Sequence, residues 1–326
     1  MSQASWENLA TVWDRSLKTL ALMPEYSESI DSLSEIKNLM VYTPHKSELE
    51  KFKTRSISAL STLPNESFQQ ILFVPTKNKI ESLALINCGI DHLEAAGLFH
   101  FACANDSGAK SFMSQLKMLN PDFEFESKRK ARFISFSPEQ LIHRQDKEWS
   151  KDFDYQINQA GFISFPGIYG WNKIDHASRL LLSTLPKLKG EGADFGSGYG
   201  FLTHQMDRTL VTKMHLLEND LRALECSRRN LSNETKCIFH WVDILHDRID
   251  LAPLDFIVMN PPFHEGKEVQ QDLGLGFIQK AREFLKKDGH LFLVANQFLP
   301  YEDALIREFG RMQKVLKQDG FKVLHV

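Results

Sequence analysis

The stretch Ala193-Asp194-Phe195-Gly196-Ser197-Gly198-Tyr199-Gly200 begins as a short apolar segment and continues as a glycine-rich turn. Glycine has no Cβ atom, so it lets the backbone turn sharply and approach a ligand closely. A helical pattern follows the turn, and these features together predict the strand–turn–helix unit of an α/β sheet. Taken alone, such a turn is equally typical of a ligand site and of a purely structural tight turn.

The rest of the second half continues this alternation of strands and helices. The predicted strands cover residues 193–195, 213–217, 237–241, 256–259, 291–295 and 321–326, and the predicted helices cover residues 174–185, 221–231 and 270–285. Strands that are separated by helices imply parallel pairing. We therefore expect an open, doubly wound sheet with a site at the carboxyl ends of its strands.

The first half shows a similar α/β rhythm. Its predicted strands cover residues 38–42, 70–74, 98–103 and 131–136, and its predicted helices cover residues 46–60 and 108–119. No Gly-x-Gly turn follows the first of these strands, so we expect no cofactor cradle there. The charged and polar stretch 144–161 is interpreted as a linker, which places the two predicted domains at 1–143 and 162–326.

Length, charge and cysteine content narrow the class of protein. The chain has 326 residues, more than the ~100 to 200 that usually form one domain. It contains no apolar run approaching the ~18 residues of a membrane span and no signal-peptide pattern at its start. The four cysteines, Cys88, Cys103, Cys226 and Cys237, lack the spacing of a metal site, so we expect reduced thiols, no metal and a cytoplasmic protein. A formal net charge of −3 argues against tight non-specific binding of nucleic acid, but it is compatible with a local basic patch.

Two carboxylates follow successive predicted strands after the glycine turn. Glu218-Asn219 lies about 20 residues beyond the glycines, where the carboxylate can accept both hydroxyls of a ribose. Asp243-Ile244 ends the next strand, where the carboxylate can accept from an adenine amino group and Ile244 can pack on the ring. Each has a structural alternative, since Asp243 also suits a helix N-cap and Glu218 a solvated loop. In register with the glycines they fit an adenosine ligand, while the missing GxGxxG and Walker motifs disfavour NAD and ATP.

The motif Asn260-Pro261-Pro262-Phe263 directly follows an apolar strand. Proline cannot continue the hydrogen-bond ladder and makes the chain leave the sheet in a restricted direction. The side-chain oxygen of Asn260 and the carbonyl of Pro261 can then accept both protons of an exocyclic amine, while Phe263 stacks on the ring that carries it. Such an amine is a poor nucleophile that needs positioning against an electrophilic methyl group. A strand-ending double-proline turn is the structural alternative.

The glycine motif combined with Asn260-Pro261-Pro262-Phe263-His264 resembles class I methyltransferases that act on exocyclic amines. The resemblance is closer to the bacterial small-subunit rRNA guanine-N2 methyltransferase C family and covers the whole second half. It implies S-adenosylmethionine as the cofactor, with Asp194, Gly196, Gly198 and Gly200 in its pocket. The segment 165–169, which includes Tyr169, resembles the family's entry segment together with Ile174-Asp175 and residues 180–185. The resemblance implies that this entry segment lines the same pocket. Ser197 departs from the cysteine of many relatives, at a position that the mechanism does not use.

The first half is similar, more loosely, to the N-terminal domain of the same family. Residues 75–79 and 105–111 carry this part of the resemblance. It implies two tandem Rossmann-like methyltransferase domains, of which the N-terminal one is degenerate, binds no cofactor and supports RNA binding and folding.

The function that we expect from this resemblance is methyl transfer to the N2 amine of a guanine in 16S rRNA of the small ribosomal subunit, by a monomer. The motif alone also fits guanine N2 in 23S rRNA, adenine N6 or a protein glutamine amide. A non-catalytic ribosome assembly factor on the same fold is another alternative. For RNA contacts we expect His264 and the cluster Lys128-Arg129-Lys130, although most charge runs are solvated faces.

Overall fold

A computed structural model describes residues 3–26, 37–142, 153–251, 253–261 and 267–326. The chain divides into two compact units, Met1–Asp154 and Tyr155–Val326. The predicted linker at 144–161 spans this division, and its residues 144–152 lie outside the described ranges. The domain bounds derived from the linker therefore stay a prediction.

The first unit is built around a seven-stranded sheet with the strand order β3-β2-β1-β4-β5-β7-β6. Its elements are α1 (Gln3–Val12), β1 (Thr19–Leu22), β2 (Leu39–Tyr42), α2 (Lys46–Thr54), β3 (Ser58–Leu60), β4 (Phe68–Phe73), α3 (Lys79–Asp91), β5 (Leu93–Ala104), α4 (Ala109–Leu119), β6 (Glu126–Lys128) and β7 (Ala131–Phe136). The first five strands in this order, from β3 at the edge to β5, pair in parallel. Strand β7 pairs antiparallel with both β5 and β6.

The second unit repeats this topology in the order β12-β11-β10-β13-β14-β16-β15. Its elements are β8 (Gln156–Ile157), β9 (Ile163–Ser164), α5 (His176–Thr184), β10 (Lys189–Phe195), α6 (Phe201–Gln205), β11 (Leu210–Glu218), α7 (Leu221–Asn230), β12 (Cys237–Trp241), β13 (Leu254–Met259), α8 (Lys267–Phe284), β14 (Leu285–Asn296), α9 (Tyr301–Phe309), β15 (Gln313–Gln318) and β16 (Phe321–His325). Five strands are parallel and β16 is antiparallel to β14 and β15, while β8 and β9 form a separate antiparallel pair. Both units are thus Rossmann-like, as the sequence predicts.

The two sheets share an irregularity at the same place. The pairing of β4 with β5 shifts its register between Phe68 and Gln70, and that of β13 with β14 shifts between Leu254 and Phe256. The side chain at the shift is tied to the central strand in both units. Gln69 Oε1 accepts from the backbone N–H of Lys18 at 2.9 Å, and Asp255 Oδ2 accepts from that of Glu191 at 2.9 Å. We call these two contacts the bulge straps, and their repetition indicates that the units have the same architecture in detail.

One predicted helix is wrong in its last part. Residues 46–60 have helical spacing, but α2 ends at Thr54 and Ser56 takes a left-handed conformation with φ 59°. The chain then turns back so that Ser58–Leu60 pairs in parallel with β2. Tertiary pairing at the edge of the sheet overrides the local preference for helix here.

A second correction concerns the strand that occupies the place of β10 in the first unit. The first predicted strand of this half begins at residue 38, but the strand equivalent to β10 is β1, a short and fully buried segment. It is followed by Met23-Pro24-Glu25-Tyr26, which also lacks glycine, and Met23 has φ 46°. The expectation that this unit binds no cofactor stays a prediction.

The core of the second unit lies between the sheet and α8. It includes Phe195 on β10, Met259 on β13 and Leu293 on β14, packed with Phe277 and Ile278 of α8. Strands that are buried on both faces are typical of parallel sheets covered by helices. The tight packing holds the strand ends in fixed positions at the carboxyl edge.

Gly192 on β10 shows how little space separates the strands' side chains. A Cβ atom there would lie 2.2 Å from Cζ of Phe256, its partner on β13. We expect Gly192→Ala to lower the free energy of unfolding by roughly 1 to 3 kcal/mol, because the ring must move out of a well-packed core. Urea denaturation measures this change. Adding Phe256→Leu should restore part of the loss, and an unchanged urea midpoint for Gly192→Ala alone would contradict the packing described.

Candidate active site at the carboxyl edge of the second sheet

Parallel pairing brings three predicted site segments to one edge of the second sheet. Phe195 at the end of β10 pairs with Leu217 on β11 and with Met259 on β13. Neighbouring strands lie roughly 4.8 Å apart, so the residues that follow these three leave the sheet close together. The glycine turn, Glu218 and Asn260 are those residues.

The glycine turn joins β10 to α6 and depends on left-handed conformations. The φ angles are 70° at Gly196, 55° at Gly198 and 84° at Gly200, a region that residues with a Cβ rarely adopt. A Cβ at Gly200 would also lie 3.0 Å from Cβ of Ser227, whereas no residue that the structure describes lies within 4 Å of one at Gly198. The turn therefore packs on α7 at one end and borders open space at its centre.

Glu218 braces the centre of this turn. Its Oε2 accepts from the N–H of Gly198 at 2.8 Å, and its Oε1 accepts from those of Asn219 at 2.8 Å and Asp220 at 2.9 Å. Burial raises the pKa of Glu218 to about 7, although these backbone hydrogen bonds act to lower it. The carbonyl of Asn219 accepts from Trp241 Nε1 at 2.9 Å, which fixes the loop from its other side. The ribose contacts of Glu218 and Asn219 stay predictions.

Asp194 is buried beneath the glycine turn with one oxygen unused. Thr203 Oγ1 donates to its Oδ2 at 2.8 Å, whereas Oδ1 has no partner among the described residues. Burial raises the pKa of Asp194 to about 7, against the lowering effect of Thr203. The hydroxyl of Ser197 is likewise buried without a partner in the described part of the chain. Buried polar atoms without partners are rare in folded proteins, so these two mark a place where a polar ligand can bind.

Asp243 and Ile244 both make structural contacts within the second unit. Asp243 Oδ1 accepts from the N–H of Leu245 at 3.0 Å, and its Oδ2 lies 2.8 Å from His246 Nδ1. The structural alternative for Asp243 was a helix N-cap, but residues 244–246 form a turn rather than a helix, so the carboxylate caps a turn. Ile244 is 4% exposed and belongs to the core of the second unit. Their contacts with adenine stay predictions.

Asn260 is held by one end of its amide. Its Nδ2 donates to Asp175 Oδ2 at 2.9 Å and to Ser178 Oγ at 2.8 Å. Its Oδ1 is buried and has no partner among the described residues. Pro261 is buried and ends the described stretch, whereas the predicted site residues Pro262, Phe263 and His264 lie outside it.

A pocket at this edge combines residues that the sequence predicts with others that it does not. Its lining consists of Tyr169, Gly170, Asp175, Ser178, Asp194, Gly196, Ser197, Gly198, Tyr199, Phe201, Leu202 and Asn260. Tyr169 Oη donates to Asp175 Oδ1 at 2.7 Å, which joins the segment before α5 to the pocket wall. Asp175 belongs to the entry segment that the family resemblance places at the cofactor pocket, whereas no role was predicted for Ser178. An aspartate just before a helical pattern signals an N-cap, but nothing local indicates its contact with Asn260.

The basic cluster lies in the first unit, at the turn between β6 and β7. All three side chains are exposed, and Arg129 and Lys130 have φ angles of 52° and 60°. Arg129 Nε lies 3.4 Å from Glu7 Oε2, and the carbonyl of Lys128 accepts from Asn8 Nδ2 at 3.0 Å. Exposed ion pairs of this kind contribute about 0 to 1 kcal/mol. A solvated turn and an RNA contact both fit these observations, so the RNA role stays a prediction.

The four cysteines are free thiols. Within the described ranges, no group of three or more His, Cys, Asp and Glu side chains is arranged to hold a metal ion. No described helix is long and apolar enough to cross a membrane. Tyr301 is 1% exposed and lies in the core of the second unit.

Comparison with known proteins gives consistent matches over both units. Residues 159–325 match the family model described as the methyltransferase small domain. Ribosomal RNA small subunit methyltransferase C of Idiomarina loihiensis is 28% identical over 309 residues, covering 90% of this chain and 90% of that protein. The protein of the same name from Acinetobacter baylyi is 28% identical over 324 residues, covering 95% of this chain and 94% of that protein.

Among solved structures, the chain is similar to a T. thermophilus 16S rRNA N2 methyltransferase in complex with AdoMet and guanosine. The TM-score is 0.77 at 21% identity, and the match covers 94% of this chain and 87% of that chain. At this identity the similarity shows that the two chains share a fold over both units.

Proposed function

This chain belongs to the methyltransferase small domain family, and from that premise we propose that it transfers a methyl group from S-adenosylmethionine to the exocyclic N2 amine of a guanine in 16S rRNA. The observation that carries the proposal is the state of Asn260. The nitrogen of its amide is bound by protein groups, while the oxygen is a buried acceptor without a partner in the described residues. An acceptor in this position suits a substrate that brings N–H donors.

The relatives support the choice of substrate. Proteins named ribosomal RNA small subunit methyltransferase C align with at least nine-tenths of this chain and of their own length. The solved structure that shares the fold is a 16S rRNA N2 methyltransferase in complex with AdoMet and guanosine. Both the methyl donor and the base class in our proposal follow from these names.

The described residues fit S-adenosylmethionine. Asp194 Oδ1 is a buried acceptor without a partner in the described ranges and suits the ammonium of the methionine part, and the open space beside Gly198 admits a ligand against the backbone. Glu218 lies next to that glycine and suits the ribose hydroxyls. When bound, the cofactor supplies a methyl group on a positively charged sulfur.

The chain's own part in the reaction is to orient and align. The lone pair of the guanine N2 amine is delocalised into the ring, so the free amine is a weak nucleophile. Asn260 Oδ1 accepts one N–H and the Pro261 carbonyl the other, which turns the lone pair out of the ring plane toward the methyl group. Held in this way by Asn260 and Pro261, the amine would be placed to take up the methyl group that S-adenosylmethionine would supply, and the extra proton on nitrogen would leave to solvent.

Further features of the function are part of the same proposal. We propose the small ribosomal subunit as the context, a cytoplasmic location and a monomeric enzyme, with the Lys128-Arg129-Lys130 turn and His264 touching RNA. Guanine N2 in 23S rRNA is the nearest alternative, because the acceptors on Asn260 and Pro261 would serve it equally. A non-catalytic assembly factor differs in one measurable respect, since it has no need to bind S-adenosylmethionine.

Replacing Asn260 with Ala tests the orienting role. We expect the affinity for S-adenosylmethionine, measured by calorimetry, to stay within about three-fold, and methyl transfer to fall at least ~100-fold because the amine loses an acceptor. Transfer is measured by nucleoside mass spectrometry of 16S rRNA from a deletion strain complemented with each variant. N2-methylguanosine restored to the normal level by Asn260→Ala would contradict the mechanism, and no loss of any methylated 16S nucleoside in the deletion strain would contradict the function.

Asp194 predicts a pH dependence for cofactor binding. Its pKa near 7 means that acid neutralises the carboxylate that we assign to the cofactor's ammonium. We expect affinity to fall on the order of ten-fold from this group between pH 7.5 and pH 6, since it is mostly ionised at the first value and mostly protonated at the second. Calorimetry over this range gives the profile.

Asp194→Asn is the matched variant for this profile. It removes the charge while keeping the shape, so we expect weaker binding at pH 7.5 and a flatter dependence on pH. The part that remains should come from Glu218, whose pKa burial also raises to about 7. A profile as steep as that of the wild type would show that Asp194 does not contact the cationic group.

A further inference from the structure

We propose that Asp175 is a positioning residue that sets which end of the Asn260 amide meets the target amine. The inference rests on the proposed function and assigns the pocket's specificity for a donor-bearing substrate to a residue on another part of the chain. Asp175 and Asn260 are separated by 85 residues in sequence.

The orientation of an asparagine side chain needs a chemical cause. The oxygen and nitrogen ends of the amide have nearly the same shape, so packing alone distinguishes them poorly. With the oxygen toward the substrate, Asn260 accepts from an amine. With the nitrogen toward it, donor faces donor, and the amine loses the contact that turns its lone pair.

Asp175 supplies a cause because a carboxylate can only accept hydrogen bonds when ionised. Its Oδ2 accepts from Asn260 Nδ2 at 2.9 Å, and a reversed amide would place two acceptors against each other. The second contact of the same nitrogen, with Ser178 Oγ at 2.8 Å, does not discriminate, since a hydroxyl can donate as well as accept. The choice between the two ends therefore depends on Asp175.

Asp175 is itself fixed by two further hydrogen bonds. It is the N-cap of α5, with Oδ2 accepting from the N–H of Ser178 at 2.8 Å. Its Oδ1 accepts from Tyr169 Oη at 2.7 Å, on the segment that leads into the helix. Both oxygens are thus engaged, so the carboxylate cannot rotate away from Asn260 without losing the cap.

Two substitutions separate capping from positioning. In Asp175→Ser, the hydroxyl can still cap α5, because serine is as good an N-cap as aspartate, but the shorter side chain does not reach Asn260. In Asp175→Asn, the cap requires an oxygen at the Oδ2 position, which still accepts from Asn260, and the new NH2 faces the Tyr169 hydroxyl, which can accept. Asn78→Ser is a matched control, since Asn78 caps α3 in the first unit.

The first measurement compares methyl transfer to 16S rRNA at saturating S-adenosylmethionine. We expect Asp175→Ser to lower kcat at least ten-fold with cofactor affinity within about three-fold, and Asp175→Asn to keep kcat within about three-fold of the wild type. Asn78→Ser should keep wild-type kcat. Equal losses in Asp175→Ser and Asp175→Asn, or a loss confined to cofactor affinity, would overturn the inference.

The second measurement needs no turnover. In protein labelled with ¹⁵N-asparagine, the side-chain NH2 signals of Asn260, assigned from their loss in Asn260→Ala, report the bond to Asp175 without cofactor or RNA. We expect at least ten-fold slower solvent exchange in the wild type and in Asp175→Asn than in Asp175→Ser. Equal exchange in all three would show that Asp175 does not hold the amide.

The two measurements also separate this inference from the proposed function. A wild-type protein whose Asn260 amide is protected but which methylates no rRNA would remove the proposed function, and with it the role of the orientation in catalysis. An active wild type in which Asp175→Ser changes neither kcat nor exchange would remove only the inference about Asp175.

Discussion

The parallel pairing of β10 with β13 is the contact on which the candidate site depends. Its register sets Phe195 beside Met259, so the glycine turn and Asn260 leave the sheet next to each other. The remaining groups attach to this pair from outside, Glu218 through the backbone of the turn and Asp175 through the amide of Asn260. A shift of one residue in this pairing would turn either Asp194 or Asn260 to the other face of the sheet.

Much of the fold follows from the sequence because its strands are buried and bounded by clear helices. The bounds of β7 and β12 coincide with the predicted 131–136 and 237–241. Two predictions of strands and helices were wrong or incomplete, each for a physical reason. The end of the predicted helix at 46–60 is instead strand β3, because it pairs in parallel with β2 and sets Leu60 beside Tyr42. Strand β1 was not predicted, because a segment of four residues has too little periodicity to distinguish strand from helix.

The candidate site, like the fold, could be predicted only in part from the sequence. Residues that follow strands, such as Asp194, Glu218 and Asn260, could be placed at one edge from the alternation of elements alone. The contacts that decide what these groups do are not local. The bond from Asn260 to Asp175 spans 85 residues, and the orphaned oxygen of Asp194 becomes visible only when its neighbours are known. In the sequence, Asp243 fitted an adenine contact or a helix N-cap. The structure gives its carboxylate a hydrogen bond from the N–H of Leu245 within a turn, and the adenine contact stays a prediction.

The two bulge straps make the same hydrogen bond with different side chains, since Asp255 can ionise and Gln69 cannot. Burial raises the pKa of Asp255, but Lys286, the N–H of Glu191 and nearby positive charge together hold it below its ordinary value. Its contribution to stability is present above the unfolded pKa and is lost as pH falls through the lowered one. Gln69, which makes the same bond in the first unit, does not titrate. The strap of the second unit is therefore charged and sensitive to acid, whereas the matching strap of the first unit is neutral.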